Sequence, residues 1–242
     1  MKEVIICSFN VRNKYWIKNW DGESYPEKLA KFIKDKKIDI IGLQELTKTY
    51  EKKLKLYLSG YKIFGKYRYG HNIFLRRINE ATSFVTNMNI IEHENRYLTR
   101  VPFIYKARVP RVMTSLYTGN LFIINVHMEY INNISKRHQL KVLYKYIIKN
   151  IDKKIIIMGD FNMTLKNPHF KDFINKLKQV NIFLVENKVN TYMKPGKEKI
   201  LDHIFVSSHF NVIDSYVYTD KNFCNISDHR PIIARIKEKD SD

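Results

Sequence analysis

Apolar and polar residues follow two rhythms along this chain. Short apolar runs that stop abruptly at polar residues predict buried strands, and apolar positions three or four apart on a lysine-rich background predict amphipathic helices. The clearest run is Ile155-Ile156-Ile157-Met158, unbroken as in a strand buried on both faces. Gly159 lets the backbone turn and other groups come close, and Asp160 and Asn162 leave the end of the run. Such an Asp and Asn together offer the acceptors and donors that align a water molecule, although the same residue types also make ordinary turns.

The same reading extends in both directions. Val4 to Phe9 is a first strand, left by Asn10-Val11-Arg12-Asn13, and Asp39 to Leu43 is a second, ending in Gln44-Glu45. Arg111 to Tyr117 and Leu121 to Val126 pair about the turn Thr118-Gly119-Asn120, and the chain then runs into His127-Met128-Glu129. Ile200 to Val206 contains Asp202, and Pro231 to Ile236 follows Ser227-Asp228-His229-Arg230. Helices are predicted from about Pro26 to Lys37, Thr47 to Leu58 and Ser135 to Lys149, with another opening at Pro168. Between Tyr61 and Leu116 short β-like pieces interleave Arg and Tyr, types that contact phosphates and stack on bases or else face solvent.

Composition narrows the class of partner. The 242 residues contain no Pro/Gly/Ser-rich linker, internal repeat or low-complexity tract, so one domain is expected. Lys and Arg number 43 against 24 Asp and Glu, a net charge of +19, which favours a polyanion such as nucleic acid or an anionic membrane surface. Joint abundance of Lys, Ile, Asn and Tyr also fits an AT-rich genome. Cys7 and Cys224 are too few for a disulfide framework, and Cys7 lies in an apolar run, which suits a reducing compartment. The run from Val4 to Phe9 resembles neither a signal peptide nor an anchor, and no uncharged apolar run spans a bilayer. The expectation is a cytoplasmic protein with no stable membrane insertion.

Candidate chemistry collects at the strand ends. Residues able to bind metal or move protons stand at or beside the breaks at Asn10, Glu45, His127, Asp160, Asn162, Asp202, Asp228 and His229. One such residue is usually solvated; many of them at strand ends point to a site built where loops are held by a rigid sheet.

The order and spelling of these blocks resemble the endonuclease/exonuclease/phosphatase superfamily. The matching blocks are Ser8-Phe9-Asn10-Val11, Gln44-Glu45, Asn125-Val126-His127, Gly159-Asp160-Phe161-Asn162, Leu201-Asp202-His203-Ile204 and Ser227-Asp228-His229-Arg230-Pro231. The resemblance implies an α+β fold, a four-layer α/β/β/α sandwich of two mixed β-sheets flanked by helices, and hydrolysis of a phosphoester by in-line attack of water. It implies Glu45 as principal ligand of a Mg²⁺ or Mn²⁺ ion, assisted by Asn10 and Asp228, since hard cations prefer oxygen donors. Asp160 and Asn162 match the pair that orients or deprotonates the water. His229, held by Asp202, matches a base or oxyanion stabiliser, and His127 the group facing the leaving oxygen, with Glu129 a possible orienting partner. Two softer matches, Gly70-His71-Asn72-Ile73 and Pro110-Arg111-Val112, suggest Asn72 and Arg111 as substrate-binding residues.

Substrate class follows by departures from the pattern. AP endonucleases typically have a Tyr where His127 stands. Inositol phosphatases resemble one another in a Cys- and Trp-containing segment where this chain has Lys199-Ile200-Leu201. Secreted sphingomyelinases usually have an apolar hairpin, whereas Ile213 to Tyr218 is broken by Asp214 and Ser215. A nuclease-like phosphodiesterase acting on DNA remains, with phospholipid or small-phosphoester hydrolysis and a non-catalytic binding module as alternatives.

Overall fold

The computed structural model describes residues 3–13, 24–70, 79–100 and 106–239. The first part of the chain runs β1 (Glu3–Asn10), α1 (Ser24–Asp35), β2 (Ile40–Thr47), α2 (Lys48–Tyr57), β3 (Lys62–Tyr67), β4 (Glu80–Thr86), β5 (Glu92–Thr99) and β6 (Arg111–Tyr117). It continues through β7 (Leu121–His127), α3 (Asn133–Lys149), β8 (Lys154–Asp160), α4 (Pro168–Gln179), β9 (Ile182–Leu184), β10 (Asp202–Ser207), β11 (Phe210–Val217), α5 (Lys221–Cys224) and β12 (Ile232–Glu238). Helix starts follow side-chain capping. Thr47 accepts from the Tyr50 N–H, Asn132 from Ile134 and Ser135, and Asn167 from His169 and Phe170, with Pro168 in the first turn. The Asn132 cap starts α3 two residues before the expected Ser135.

Among the described residues the strands form two six-stranded mixed sheets, ordered β11-β12-β1-β2-β4-β3 and β5-β6-β7-β8-β10-β9. Each has one parallel pair, β1 with β2 and β7 with β8, and its crossover includes a helix, α1 or α3. Side chains alternate across each strand, so one face of each sheet packs under helices and the other faces its partner sheet. Ile155 and Ile157 lie in the layer under α3 and α4, whereas Ile156 and Met158 lie between the sheets with Ile6, Ile40, Ile123 and Ile204. Cys7 and Phe9 join Leu29 and Ile33 of α1 in the third apolar layer. The four-layer α/β/β/α sandwich expected from the sequence is therefore the observed fold. Cys7 is a buried free thiol, and among the described residues no helix is long and apolar enough to cross a membrane.

The inter-sheet layer changes character along the strands. Ile6, Ser8 and Asn10 of β1 alternate onto the same face, as do Ile123, Asn125 and His127 of β7, and Ile156, Met158 and Asp160 of β8. The core is thus apolar at one end and polar at the other. Within this polar end the Gln44 Nε2 amide donates to Asn125 Oδ1 at 2.7 Å, and Asn125 Nδ2 donates to the Ser83 carbonyl at 2.8 Å. Buried amides without such partners would be costly.

Candidate active site

Strand register brings the polar ends together. Asp160 is the last residue of β8 and is flanked in register by His127 of β7 on one side and Asp202 of β10 on the other. Gly159 makes that approach possible: at φ 145° a Cβ there would stand 2.1 Å from the Val126 carbonyl oxygen of β7. In the other sheet the register of β2 on β4 shifts between Leu43 and Leu46, and Glu45 within this irregularity has φ 61°. Such bulges re-aim side chains near functional clefts, and the left-handed backbone at Glu45 is costly for a residue with a Cβ. Asn162, at φ 52°, adopts the same conformation just after β8.

Glu45, His127, Asp160 and Asn162, with Asp228 and His229, line an open cleft of about 1040 Å³. Asn10 bridges the sheets: its Nδ2 donates to Glu45 Oε1 and to Asp160 Oδ2, both at 3.1 Å. The Arg12 N–H donates to Asn10 Oδ1 at 2.9 Å, which holds the amide in this orientation. Asp160 Oδ2 also stands 3.7 Å from His127 Nε2 and 3.8 Å from His229 Nε2, while its Oδ1 accepts the Asn162 N–H at 2.8 Å. His229 Nδ1 meets Asp202 Oδ2 at 2.8 Å, which turns Nε2 toward Asp160. Asp228 lies 3.6 Å from the Arg12 guanidinium.

Burial and neighbouring charge set the protonation states. Burial pushes the Asp160 carboxyl up, Asp202 adds to it, and the value reaches about 7 despite His229. Burial opposes charge on His229, but Asp202 and Asp160 outweigh it and raise the imidazole to about 10. Burial and the cations Arg111 and Arg68 hold His127 well below the ordinary histidine value. The cleft thus sets a neutral imidazole and a charged one on either side of one carboxylate.

Among the sequence candidates, Asn10, Glu45, His127, Asp160, Asn162, Asp202, Asp228, His229 and Arg111 all meet at this cleft or support it. Asn72 lies outside the described residues. Glu129 does not orient His127. Its buried carboxylate accepts the N–H groups of Arg108 (3.1 Å), Tyr130 (2.9 Å) and Ile131 (3.1 Å) and so pins two loops at the rim. Asn13 and Glu80 went unrecognised in the sequence: the Asn13 N–H holds Glu45 Oε2 at 2.8 Å, its side chain holds Glu80 at 2.8 Å, and Glu80 pairs with Arg68. Thr191 was also unrecognised; its hydroxyl accepts the Leu201 and Asp202 N–H groups and its carbonyl the Arg230 N–H.

The donors suit a hard cation. Glu45, Glu80 and His127 each present a ligand atom within 4.8 Å of the others, and Asp160, Asp202 and His229 do likewise. Asp202 of the second group bonds to His229 and does not line the cleft, whereas Glu45 does, with Asp228 on the same cleft, so the region around Glu45 is the better match to a divalent ion.

The fold and the site are those of a paired-sheet sandwich with carboxylates and imidazoles gathered at one edge. The family model described as Endonuclease/Exonuclease/phosphatase family matches residues 7–229, and the chain belongs to that family. Its members include phosphoester hydrolases, and they are in general dependent on divalent metal. Among solved structures, an endonuclease/exonuclease/phosphatase from Bacteroides vulgatus superposes with a TM-score of 0.83 at 18% identity, covering 99% of this chain and 100% of that one. A mannosyl-6-phosphatase from Bacteroides thetaiotaomicron gives 0.75 at 20% identity, covering 97% and 99%. TDP2 of D. rerio, complexed with a single-strand DNA product, gives 0.73 at 18% identity, covering 98% and 100%. Compared with curated protein sequences, the chain has no match.

Proposed function

We propose that this cleft hydrolyses phosphodiesters of nucleic acid, DNA foremost, by in-line attack of water on phosphorus. The observation that carries the reading is the position of Asp160, with one carboxylate oxygen within 3.8 Å of Asn10, His127 and His229 from three separate parts of the chain. Glu45, assisted by Asn10 and Asp228, would hold a Mg²⁺ or Mn²⁺ ion, which supplies charge neutralisation on the phosphate oxygens. Asn10 offers its NH₂ group to both carboxylates, so its assistance is to orient them.

Asp160, aligned by Asn10 and by the Asn162 N–H, accepts the proton of the attacking water. His229, clamped by Asp202, presents Nε2 to the same region and as imidazolium stabilises the extra negative charge of the transition state. As the new P–O bond forms, the bond from phosphorus to the leaving oxygen breaks; His127 faces that oxygen and donates a hydrogen bond to it from neutral imidazole, and the departing alkoxide takes its proton from solvent water. Arg111 and Arg68 lie beside it and attract the substrate's phosphates.

The preference for DNA rests on the +19 charge, on further lysines and arginines along the cleft, and on the similarity to a protein bound to a DNA product. The likeness to a mannosyl-6-phosphatase favours a second reading, a small phosphate ester. Supercoiled plasmid with and without Mg²⁺ or Mn²⁺, beside sugar phosphates and a phospholipid, separates them. Metal-dependent nicking is expected; intact DNA together with turnover of a sugar phosphate or lipid would contradict the nucleic-acid assignment.

A further inference from the structure

At the His127 and Arg111 end of the cleft stands an aromatic ring that the hydrolytic chemistry does not use. Tyr130 is 47% exposed and lines the cleft, three residues beyond His127. A large exposed aromatic is ordinarily mobile, but this one is fixed at both ends. Its N–H donates to the buried Glu129 carboxylate at 2.9 Å, and its hydroxyl accepts from Arg108 Nη1 at 2.6 Å. Arg108 is itself tied to Glu129 through its backbone N–H at 3.1 Å. The Glu129 N–H in turn donates to buried Gln139 of α3 at 2.9 Å, so the pin is anchored in the sandwich.

The surroundings of the ring have the chemistry of a nucleotide. The Arg111 guanidinium lies over the ring, 6.0 Å from its centroid and so at the outer limit of a cation–π contact, and its buried Nε has no hydrogen-bond partner among the described residues. A fixed aromatic ring beside a cation that has no carboxylate partner among the described residues accepts a flat base and the phosphate attached to it. Fixing the ring in advance removes the ordering cost of binding.

We propose that Tyr130, held by Arg108 and Glu129, is a stacking subsite for an unpaired nucleobase on the leaving-oxygen side of the scissile phosphate. This inference rests on the nucleic-acid reading and narrows it: a base that reaches the rim ring must be free of a duplex partner, so single strands and frayed ends are the preferred form. A sugar phosphate or phospholipid headgroup has no aromatic face to offer this subsite.

The test uses the full chain with Mg²⁺ and three dinucleotides: thymidylyl-thymidine and its two analogues lacking one base or the other. The products show which side leaves. Wild-type protein is expected to lose about tenfold or more in kcat/KM when the leaving-side base is absent, and less when the other is. In Tyr130→Ala the ratio between base-containing and base-lacking substrates is expected to fall toward one, while Tyr130→Trp retains it. A wild-type ratio of one, or a Tyr130→Ala ratio equal to that of wild type, overturns the stacking subsite while leaving the hydrolase reading standing. Should Tyr130→Ala not fold, Tyr130→Leu supplies an apolar side chain without an aromatic face, and its ratio is judged in the same way. Turnover of none of the three by the wild type overturns both readings.

Discussion

Asp160 is 1% exposed, and burial and Asp202 both work against its charge. Above about pH 7 the fold therefore holds an ionised carboxylate at a cost, as expected for a group placed for chemistry instead of stability. Asp160→Asn keeps the size and removes the charge. Turnover is expected to fall by about 10²–10⁴-fold, with the melting temperature at pH 8 unchanged or higher; a large loss of stability with turnover retained would contradict the assignment. His203 makes a different residue-level prediction. It packs on Phe170 at 4.8 Å, bonds through Nε2 to the Met163 carbonyl, and is held by burial at about 4. The unfolded chain binds a proton near the ordinary histidine value of about 6.5. Its contribution to stability is thus complete above that value and is lost as pH falls from about 6.5 toward 4, a term of roughly 3 kcal/mol. Urea unfolding of His203→Asn across this window should show a shallower loss than wild type; equal slopes would remove His203 from the acid sensitivity.

At the scale of elements, the site depends on two register devices. Gly159 allows β8 to lie against the Val126 carbonyl of β7, which sets His127 opposite Asp160. Gly159→Ala is expected to cost more than ~1 kcal/mol and to lower activity through displacement of His127. An unchanged urea midpoint would show that the strands accommodate the methyl. The bulge at Glu45 is the second device. Elements explain what was legible in the sequence. Asn10, His127 and Asp160 follow apolar runs directly and Asp202 lies beside one, so their place at strand ends could be read; that they share the face between the sheets follows from the alternation of side chains along each observed strand. Helices α1 to α4 were visible in the sequence, with boundaries moved slightly by caps such as Asn132, whereas the single turn α5 was not. Asn13 and Glu80 gave no such signal, because they meet each other and Arg68 only once β2 bulges and β3 pairs with β4. Thr191 was equally hidden: it lies between regular elements and acts through hydrogen bonds to β10 and to Arg230.

For the whole molecule, two sheets each place a parallel strand pair at the polar edge, and neither sheet alone holds the complete set of groups. Asn10 and Glu45 come from one, His127, Asp160 and Asp202 from the other, and Asn10 joins them. The excess positive charge acts over a longer range and should make DNA turnover depend strongly on salt. Raising salt from about 50 to 200 mM should slow turnover at low DNA concentration by about tenfold or more. A flat salt response would set the charge aside as a means of substrate capture. Phosphodiester hydrolysis by wild type, Glu45→Ala, Asp160→Ala and His229→Ala, each with Mg²⁺ and with chelator and alongside circular dichroism of each variant, tests the metal-dependent site as a whole. Wild type is predicted to turn over only with metal, and each variant to lose several orders of magnitude while remaining folded. Wild-type rates in any folded variant, or hydrolysis undiminished by chelation, would contradict the account.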